Sequence, residues 1–479
     1  MVKFGTGGWR AIIGEEFTKE NIQKLALALC LKIKAEHVED QEIVIGYDRR
    51  FLSKEAVIWA CQIFGKQGIK VLFVDRSSPT PLIMFYVMKH ELPYGLMVTA
   101  SHNPAIYNGI KVFTKGGRDA DEHQTAQIEQ YLVQAEKIYE KDDSEEGQMP
   151  PHSYLDLVKS GMVVEMNPMN EYLDNIISMI NIDAIRERDL RIAIDPMYGV
   201  SLTALCTILS IARCTVETIN AQHDTLFGGK VPAPTEDTLR NLQDYVLDRY
   251  CDIGIATDGD ADRLGVIDDK GHYLHANTIL VMLYYYLLKY KGWHGAAVRN
   301  IATTHLLDKV AKAFGETCYE VPVGFKWVSA KMAETDAVIG GESSGGMAVR
   351  GHISGKDGIY AAALLVEMLA VTGKSVSELF AEIAEQYGDP QWAEADFRMT
   401  PSRKAELQER LFVHCETPDF GKAVDHISRE DGCKVYFTDG SWVICRFSGT
   451  EPLLRMAAEA DEQAEAERCI WVWRTFLGL

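Results

Sequence analysis

Three times along the chain, a run of apolar residues at strand spacing ends abruptly in a polar loop. Leu96-Met97-Val98 leads into Ser101, Asp252-Ile253-Gly254-Ile255-Ala256-Thr257 leads into Asp258, and Ala337-Val338-Ile339-Gly340 leads into Glu342. Near-continuous apolar strands are the buried strands of parallel sheets, and open α/β sheets bind ligands beyond the carboxyl ends of their strands. The pattern predicts successive α/β units, each presenting one candidate loop.

The rest of the chain fits that frame. From residue 22 to residue 113 the apolar period switches repeatedly between helix and strand, as βαβ units require. Ile22, Leu25, Leu29 and Ile33 share one helical face, residues 42–46, 69–74 and 95–100 read as strands, and helices begin near Ser53 and Thr80. An acidic stretch over residues 140–148, followed by Pro150-Pro151, marks a first boundary. The pattern restarts with strands at 190–195 and 252–257, and again from Gly295. After Gly388-Asp389-Pro390 the order becomes a helix, a hairpin and a terminal helix, with 434–437 and 442–445 flanking an Asp439-Gly440 turn. The expected architecture is three successive α/β domains with mixed, mainly parallel sheets, at 1–165, 166–292 and 293–388, followed by a smaller α+β domain at 389–479.

A chain of 479 residues with 47% hydrophobic content can bury several cores. Its formal net charge of −20 argues against nucleic acid or an anionic membrane as partner, so an anionic substrate needs a local positive pocket. The opening Met1-Val2-Lys3-Phe4-Gly5 has no secretory pattern, and the apolar run at 278–288 is too short to span a bilayer. Ten cysteines lie far apart without a C-x-x-C pair, which predicts reduced thiols in a cytoplasmic protein.

Five loops carry groups suited to chemistry. Thr99-Ala100-Ser101-His102-Asn103-Pro104 sets a hydroxyl at a strand's end, where Pro104 prevents helical continuation and the serine can accept a phosphoryl group. Lys111 follows and could supply charge or take a proton. Asp258-Gly259-Asp260-Ala261-Asp262-Arg263 places three carboxylates at alternate positions, which repel unless a hard cation sits among them. A calcium EF-hand is set aside, because its sixth position needs Gly where this loop has Arg263, and its twelfth needs Glu where this chain has Asp269. Magnesium is the expected ion. Arg446-Phe447-Ser448-Gly449-Thr450-Glu451-Pro452 joins an Arg fork, two hydroxyls and a glycine, the parts of a phosphate cradle. Gly340-Gly341-Glu342-Ser343-Ser344-Gly345-Gly346 offers a carboxylate and hydroxyls for sugar hydroxyls, while Phe4-Gly5-Thr6-Gly7-Gly8-Trp9-Arg10 resembles a glycine-rich phosphate loop only loosely, since it precedes its strand; Arg10 is its useful residue.

Together these loops resemble, in the same order along essentially the whole chain, the α-D-phosphohexomutase superfamily of phosphoglucomutases and phosphomannomutases. The resemblance implies that Ser101 carries the phosphoryl group, and that Asp258, Asp260 and Asp262 bind magnesium with an oxygen of the Ser101 phosphate. It further implies that Arg446, Ser448, Gly449 and Thr450 hold phosphate, and that Glu342 and Ser344 bind the sugar. Arg10, His102, Lys111 and Arg263 match family positions near the transferring phosphate, with Lys111 the preferred acid/base candidate. Val323-Gly324-Phe325-Lys326-Trp327 and Arg350-Gly351-His352-Ile353-Ser354-Gly355-Lys356-Asp357-Gly358 resemble phosphoglucomutase forms of two substrate loops and turn the expectation toward glucose. Relatives specific for mannose or glucosamine carry a His after the E-x-S-G of the sugar loop, where this chain has Gly346, so glucosamine is disfavoured.

The expected reaction interconverts hexose 1-phosphate and hexose 6-phosphate through a bound 1,6-bisphosphate, which also serves as activator. Alternatives are a phosphomannomutase-specific or phosphopentomutase member, a phosphatase using Ser101, and a non-catalytic sugar-phosphate sensor. Intact Ser101, Lys111 and three aspartates disfavour the sensor.

Overall fold

The computed structural model describes residues 2–5, 8–144, 153–448 and 453–479. The acidic stretch read as a first boundary begins within helix Glu122–Ser144, and its part from residue 145 onward lies outside the described residues, as do Gly449 and Thr450 of the phosphate loop. The chain forms two compact units, one from residues 1–279 and 344–377, the other from 280–343 and 378–479.

The first unit holds two sheets. In the larger, the parallel strands Val71–Val74, Ile43–Tyr47 and Tyr94–Val98 lie side by side, and Val163–Met166 joins them in parallel beyond Val71–Val74. Tyr107–Thr114 runs antiparallel to Tyr94–Val98 and is followed outward by Gly8–Ile12 and Phe4–Gly5. The three central strands are buried at every position, as their apolar sequences require. Helix Lys19–Ala35 covers this sheet with Ile22, Leu25, Leu29 and Ile33 inward, the face read from the sequence, and the Thr18 side chain caps it by accepting from Asn21 N. The smaller sheet orders Thr215–Thr218, Arg191–Asp195, Ile253–Thr257, Leu264–Ile267 and Tyr273–Leu274, with the first three parallel. Helix Gly358–Thr372 is buried along nearly its whole length and begins at Asp357, whose side chain accepts from Ile359 N and Tyr360 N.

In the second unit, Ala297–Asn300 pairs in parallel with Cys318–Val321 on one side and Ile339–Gly341 on the other. The C-terminal part departs from the helix, hairpin, helix expectation. Its hairpin Cys433–Phe437 and Trp442–Phe447 is the middle of a five-stranded antiparallel sheet, ordered Gln391–Arg398, Leu453–Ala460, Trp442–Phe447, Cys433–Phe437, Val424–Ser428. Three of those strands were not legible, because Leu453-Leu454-Arg455-Met456-Ala457-Ala458-Glu459-Ala460 is made of helix formers and extends only through its two strand partners. The apolar run at 278–288 lies on helix Ala276–Lys289, with Ile279 through Leu288 buried. No single helix among the described residues is long and apolar enough to cross a membrane.

Candidate active site

Within the first unit, the loops that leave two different sheets meet. Ser101 follows strand Tyr94–Val98 and Asp258 follows strand Ile253–Thr257; the Ser101 hydroxyl donates to Asp258 Oδ2 at 2.7 Å. Ser101 is 1% exposed and adopts φ +50°, a left-handed backbone that turns its side chain out of the strand direction. The loops approach so closely that a Cβ on Gly259 would stand 2.8 Å from the Ser101 carbonyl oxygen, which explains glycine at that position.

The three aspartates are buried and offer carboxylate oxygens all within 4.8 Å of one another. Asp258 Oδ1 accepts from the backbone N–H of Asp262 and Arg263, at 3.0 and 3.1 Å. Asp260 Oδ2 accepts from Lys111 Nζ at 2.7 Å and from Thr80 Oγ1 at 2.6 Å, at the N-terminus of helix Thr80–Lys89. Asp262 Oδ2 takes Lys111 Nζ at 2.7 Å and Lys356 Nζ at 2.9 Å. Asp260 Oδ1 and Asp262 Oδ1 are buried with no hydrogen-bond partner among the described residues. A hard divalent cation satisfies such oxygens and offsets the repulsion among the carboxylates, so this donor set fits one.

Electrostatics at the site follow from burial and charge. Burial and the neighbouring Asp260 and Asp262 push Asp258 well above the usual carboxylate range. Burial acts on Asp262 in the same direction, but Lys111 and Lys356 outweigh it and hold that carboxylate well below the range. Burial also works against charge on Lys111, yet Asp260 and Asp262 raise it above an ordinary lysine, so the group stands as a fixed cation. His102 Nδ1 lies 3.3 Å from the Ser101 hydroxyl, and burial followed by Arg263 and Arg10 pushes the imidazole well below the usual histidine range. Arg10, on strand Gly8–Ile12, donates from Nη1 to Asn103 Oδ1 at 2.6 Å, which ties it to the serine loop.

The H-I-x-x-K-D-G stretch has a definite task here. His352 Nε2 and the Tyr172 hydroxyl both meet Asp357 Oδ2 at 2.7 Å, while Asp357 Oδ1 caps helix Gly358–Thr372. That anchored turn delivers Lys356 to Asp262. A Cβ at Gly346 would stand 2.2 Å from Lys356 Cδ, so a side chain there would require Lys356 to shift.

In the second unit, Glu342 is 8% exposed and its Oε1 accepts from Asn300 Nδ2 and Gly324 N, both at 3.0 Å. Gly324, at φ +126°, opens helix Phe325–Thr335, whose first turn carries Lys326. Ser344, which belongs to the first unit, is exposed. Asp431 accepts from Val323 N at 2.7 Å through Oδ2 and from Arg446 Nε at 2.8 Å through Oδ1, so it joins the Lys326 loop to the phosphate loop. Ser448 is buried and its carbonyl accepts from Lys404 Nζ.

The structure thus brings Ser101, His102, Lys111, Arg10, Arg263 and the three aspartates together in one unit. Lys326, Glu342, Arg446 and Ser448 are placed in the other. Sequence reasoning missed Thr80, Asn300, Asp431 and the Asp48-Arg49-Arg50 turn. Asn300 and Asp48 stand at or just beyond the ends of strands Ala297–Asn300 and Ile43–Tyr47, so the strand-end rule that found Ser101 applied to them equally.

A buried hydroxyl seated on an acidic cation site, on this α/β framework, is an arrangement suited to phosphoryl transfer. Family models for phosphoglucomutase/phosphomannomutase match the chain in order: domain I over residues 1–139, domain II over 170–271, domain III over 275–387 and the C-terminal domain over 398–470. A phosphoglucomutase/phosphomannomutase of Thermococcus kodakarensis is 31% identical over 97% of this chain and 95% of its own length. A phosphoglucosamine/phosphogalactosamine mutase of Sulfurisphaera tokodaii is 28% identical over 98% and 97%. A crystal structure from Thermus thermophilus, assigned as a phosphomannomutase, superposes with a TM-score of 0.84 at 27% identity over 100% of this chain and 99% of that one. The chain belongs to the phosphoglucomutase/phosphomannomutase family, within the phosphohexomutase superfamily.

Proposed function

We propose that this enzyme interconverts hexose 1-phosphate and hexose 6-phosphate, with glucose as the preferred sugar, through a phosphoserine at Ser101 and a 1,6-bisphosphate intermediate. The Ser101 hydroxyl on Asp258, beside two carboxylate oxygens without hydrogen-bond partners, carries the reading.

A free hydroxyl of the sugar phosphate attacks phosphorus as the bond from Ser101 Oγ breaks, and the hydroxyl proton passes in net terms to Ser101 Oγ. The resulting bisphosphate turns and returns its other phosphoryl group to the serine. Magnesium, held by Asp258, Asp260 and Asp262, would offset the charge of the transferring group when bound. Lys111, Lys356 and Arg263 surround the trio with fixed positive charge, so Lys111 serves as a charge rather than a base, and His102, with Nδ1 3.3 Å from the Ser101 hydroxyl, is the group placed to relay the proton. In this reading Arg10 and Arg263 orient the reacting phosphate, Glu342 and Ser344 take sugar hydroxyls, and Lys326, Arg446 and Ser448 with Gly449 and Thr450 take the other phosphate.

Glucose is favoured by the Lys326 loop and by Gly346, whose bare backbone accommodates Lys356. Coupled assays with glucose 1-phosphate, mannose 1-phosphate and glucosamine 1-phosphate, each with and without bisphosphate and magnesium, test the reading. Highest kcat/KM with glucose 1-phosphate is expected; preference for either of the others overturns the sugar assignment, and no turnover of any overturns the mutase.

Arg446→Ala is expected to raise KM for the sugar phosphate by about 10- to 100-fold, the range of one charge-assisted anion contact. It should also increase release of free phosphate from the intermediate, read with a phosphate-sensing assay. Unchanged KM would remove Arg446 from the phosphate cradle.

A further inference from the structure

We propose that Arg50 is a positioning residue for phosphoryl transfer, which fixes the Ser101 hydroxyl against the aspartate trio by gripping the backbone of the serine loop. The inference rests on the phosphoserine reading above but concerns a residue outside the reacting groups.

Arg50 is 3% exposed and sits three residues beyond the end of strand Ile43–Tyr47. Its guanidinium reaches four carbonyl oxygens of the serine loop. Nη2 donates to Ser101 O and Asn103 O, each at 2.6 Å, and Nη1 donates to Pro104 O at 2.9 Å and Tyr107 O at 3.0 Å. Only the planar fork of arginine can serve so many acceptors at once; a lysine ammonium has three donors on one atom. The Ser101 backbone is left-handed, a conformation that a serine keeps only when its surroundings impose it.

The grip is itself anchored. Asp48 Oδ2 lies 3.3 Å from Arg50 Nε and accepts from the Thr99 hydroxyl at 2.6 Å, while Thr99 Oγ1 accepts from Ser101 N at 2.8 Å. Asp48 Oδ1 accepts from Arg50 N and Ser53 Oγ, both at 2.9 Å. The other face of the guanidinium lies over the Phe227 ring, 4.9 Å from its centroid. Arg49 points the opposite way and donates from Nη1 to Tyr198 O and Ala221 O at 3.2 Å and to Gln222 O at 3.3 Å. Residue 198 precedes Gly199, where a Cβ would stand 2.7 Å from Gly259 O in the metal loop. One short turn, Asp48-Arg49-Arg50, therefore fastens both the serine loop and the segment against which the metal loop packs. Transfer depends on sub-ångström placement of Oγ, so slackening this turn should cost chemistry before it costs substrate binding.

The test uses the full-length enzyme with Arg50→Lys and Asp48→Asn. The first keeps the charge and loses the fork; the second keeps the shape and loses the anchor. Folding is followed by circular dichroism melts, turnover by the coupled assay, and Ser101 phosphorylation by intact mass after incubation with glucose 1,6-bisphosphate. Arg50→Lys is expected to lower kcat about 100-fold with KM changed by less than about threefold, and to lower the phosphorylated fraction. Asp48→Asn should give the same split at about tenfold. Activity lost only in proportion to the folded fraction, or KM rising as much as kcat falls, in whichever variant folds, overturns the inference. So does phosphorylation at the parent level in both variants. A parent enzyme that takes up no phosphoryl group from the bisphosphate overturns the mutase reading and this inference together, whereas parental uptake with unchanged variants overturns the inference alone.

Discussion

Ser101→Ala should reduce turnover by about 10⁴-fold or more, equivalent to about 5.5 kcal/mol of transition-state stabilisation, while leaving the fold intact. The substitution removes one buried oxygen whose hydrogen bonds are to Asp258 and the neighbouring His102. Alanine tolerates the left-handed backbone about as well as serine does, so no new strain enters. Asp258 keeps its backbone donors Asp262 N and Arg263 N when the serine's donated bond is lost, so its carboxyl group stays hydrogen-bonded. The variant should melt within a few degrees of the parent, bind sugar phosphate with nearly unchanged affinity by calorimetry, and gain no phosphoryl mass from glucose 1,6-bisphosphate. Phosphoryl uptake in Ser101→Ala would mean that another residue carries the group.

Asp260→Asn should be almost as damaging to turnover, by about 10³-fold, but its diagnostic is thermal. In the parent, a bound cation stabilises the folded state by RT ln(1 + [L]/Kd), about 2.7 kcal/mol at a hundredfold excess over Kd, so magnesium should raise the melting temperature by several degrees. Asp260 supplies one of the two carboxylate oxygens without hydrogen-bond partners, and the same residue joins Lys111 to Thr80. An asparagine keeps a carbonyl acceptor for both partners and lowers the repulsion within the trio. The metal-free variant should therefore melt close to the parent, within about 1 kcal/mol, while the magnesium-dependent rise disappears. A melting temperature that still rises with magnesium would place the ion elsewhere.

The candidate site was legible to the extent that its chemistry is local in sequence. Ser101 and the aspartates announce themselves because a polar loop at the end of an apolar strand is a local pattern, and three carboxylates at alternate positions have few other uses. What could not be read is what those groups touch. Thr80, Lys111 and Lys356 converge on Asp260 and Asp262 from three separate segments, and no periodicity links them. The buried parallel strands at 43–47 and 94–98 were visible for the same local reason, since both faces are apolar. Strand Gln391–Arg398 was not, because its half-exposed Ala, Glu and Asp positions carry little strand preference and its extension is imposed by Leu453–Ala460 alongside. Arg50 stayed hidden because its partners are carbonyl oxygens, which every residue has.

The first unit is discontinuous: its body ends at Ile279, and Ser344–Ser377 rejoins it only after residues of the second unit intervene. On a ribosome, the nascent chain would therefore expose the acidic trio long before Lys356 and the helix Gly358–Thr372 emerge to complete its charge balance and core. Vectorial synthesis must then pass through a stage in which Ser101 and the aspartates are already made but the unit cannot yet close, which couples maturation of the serine site to translation of sequence far downstream.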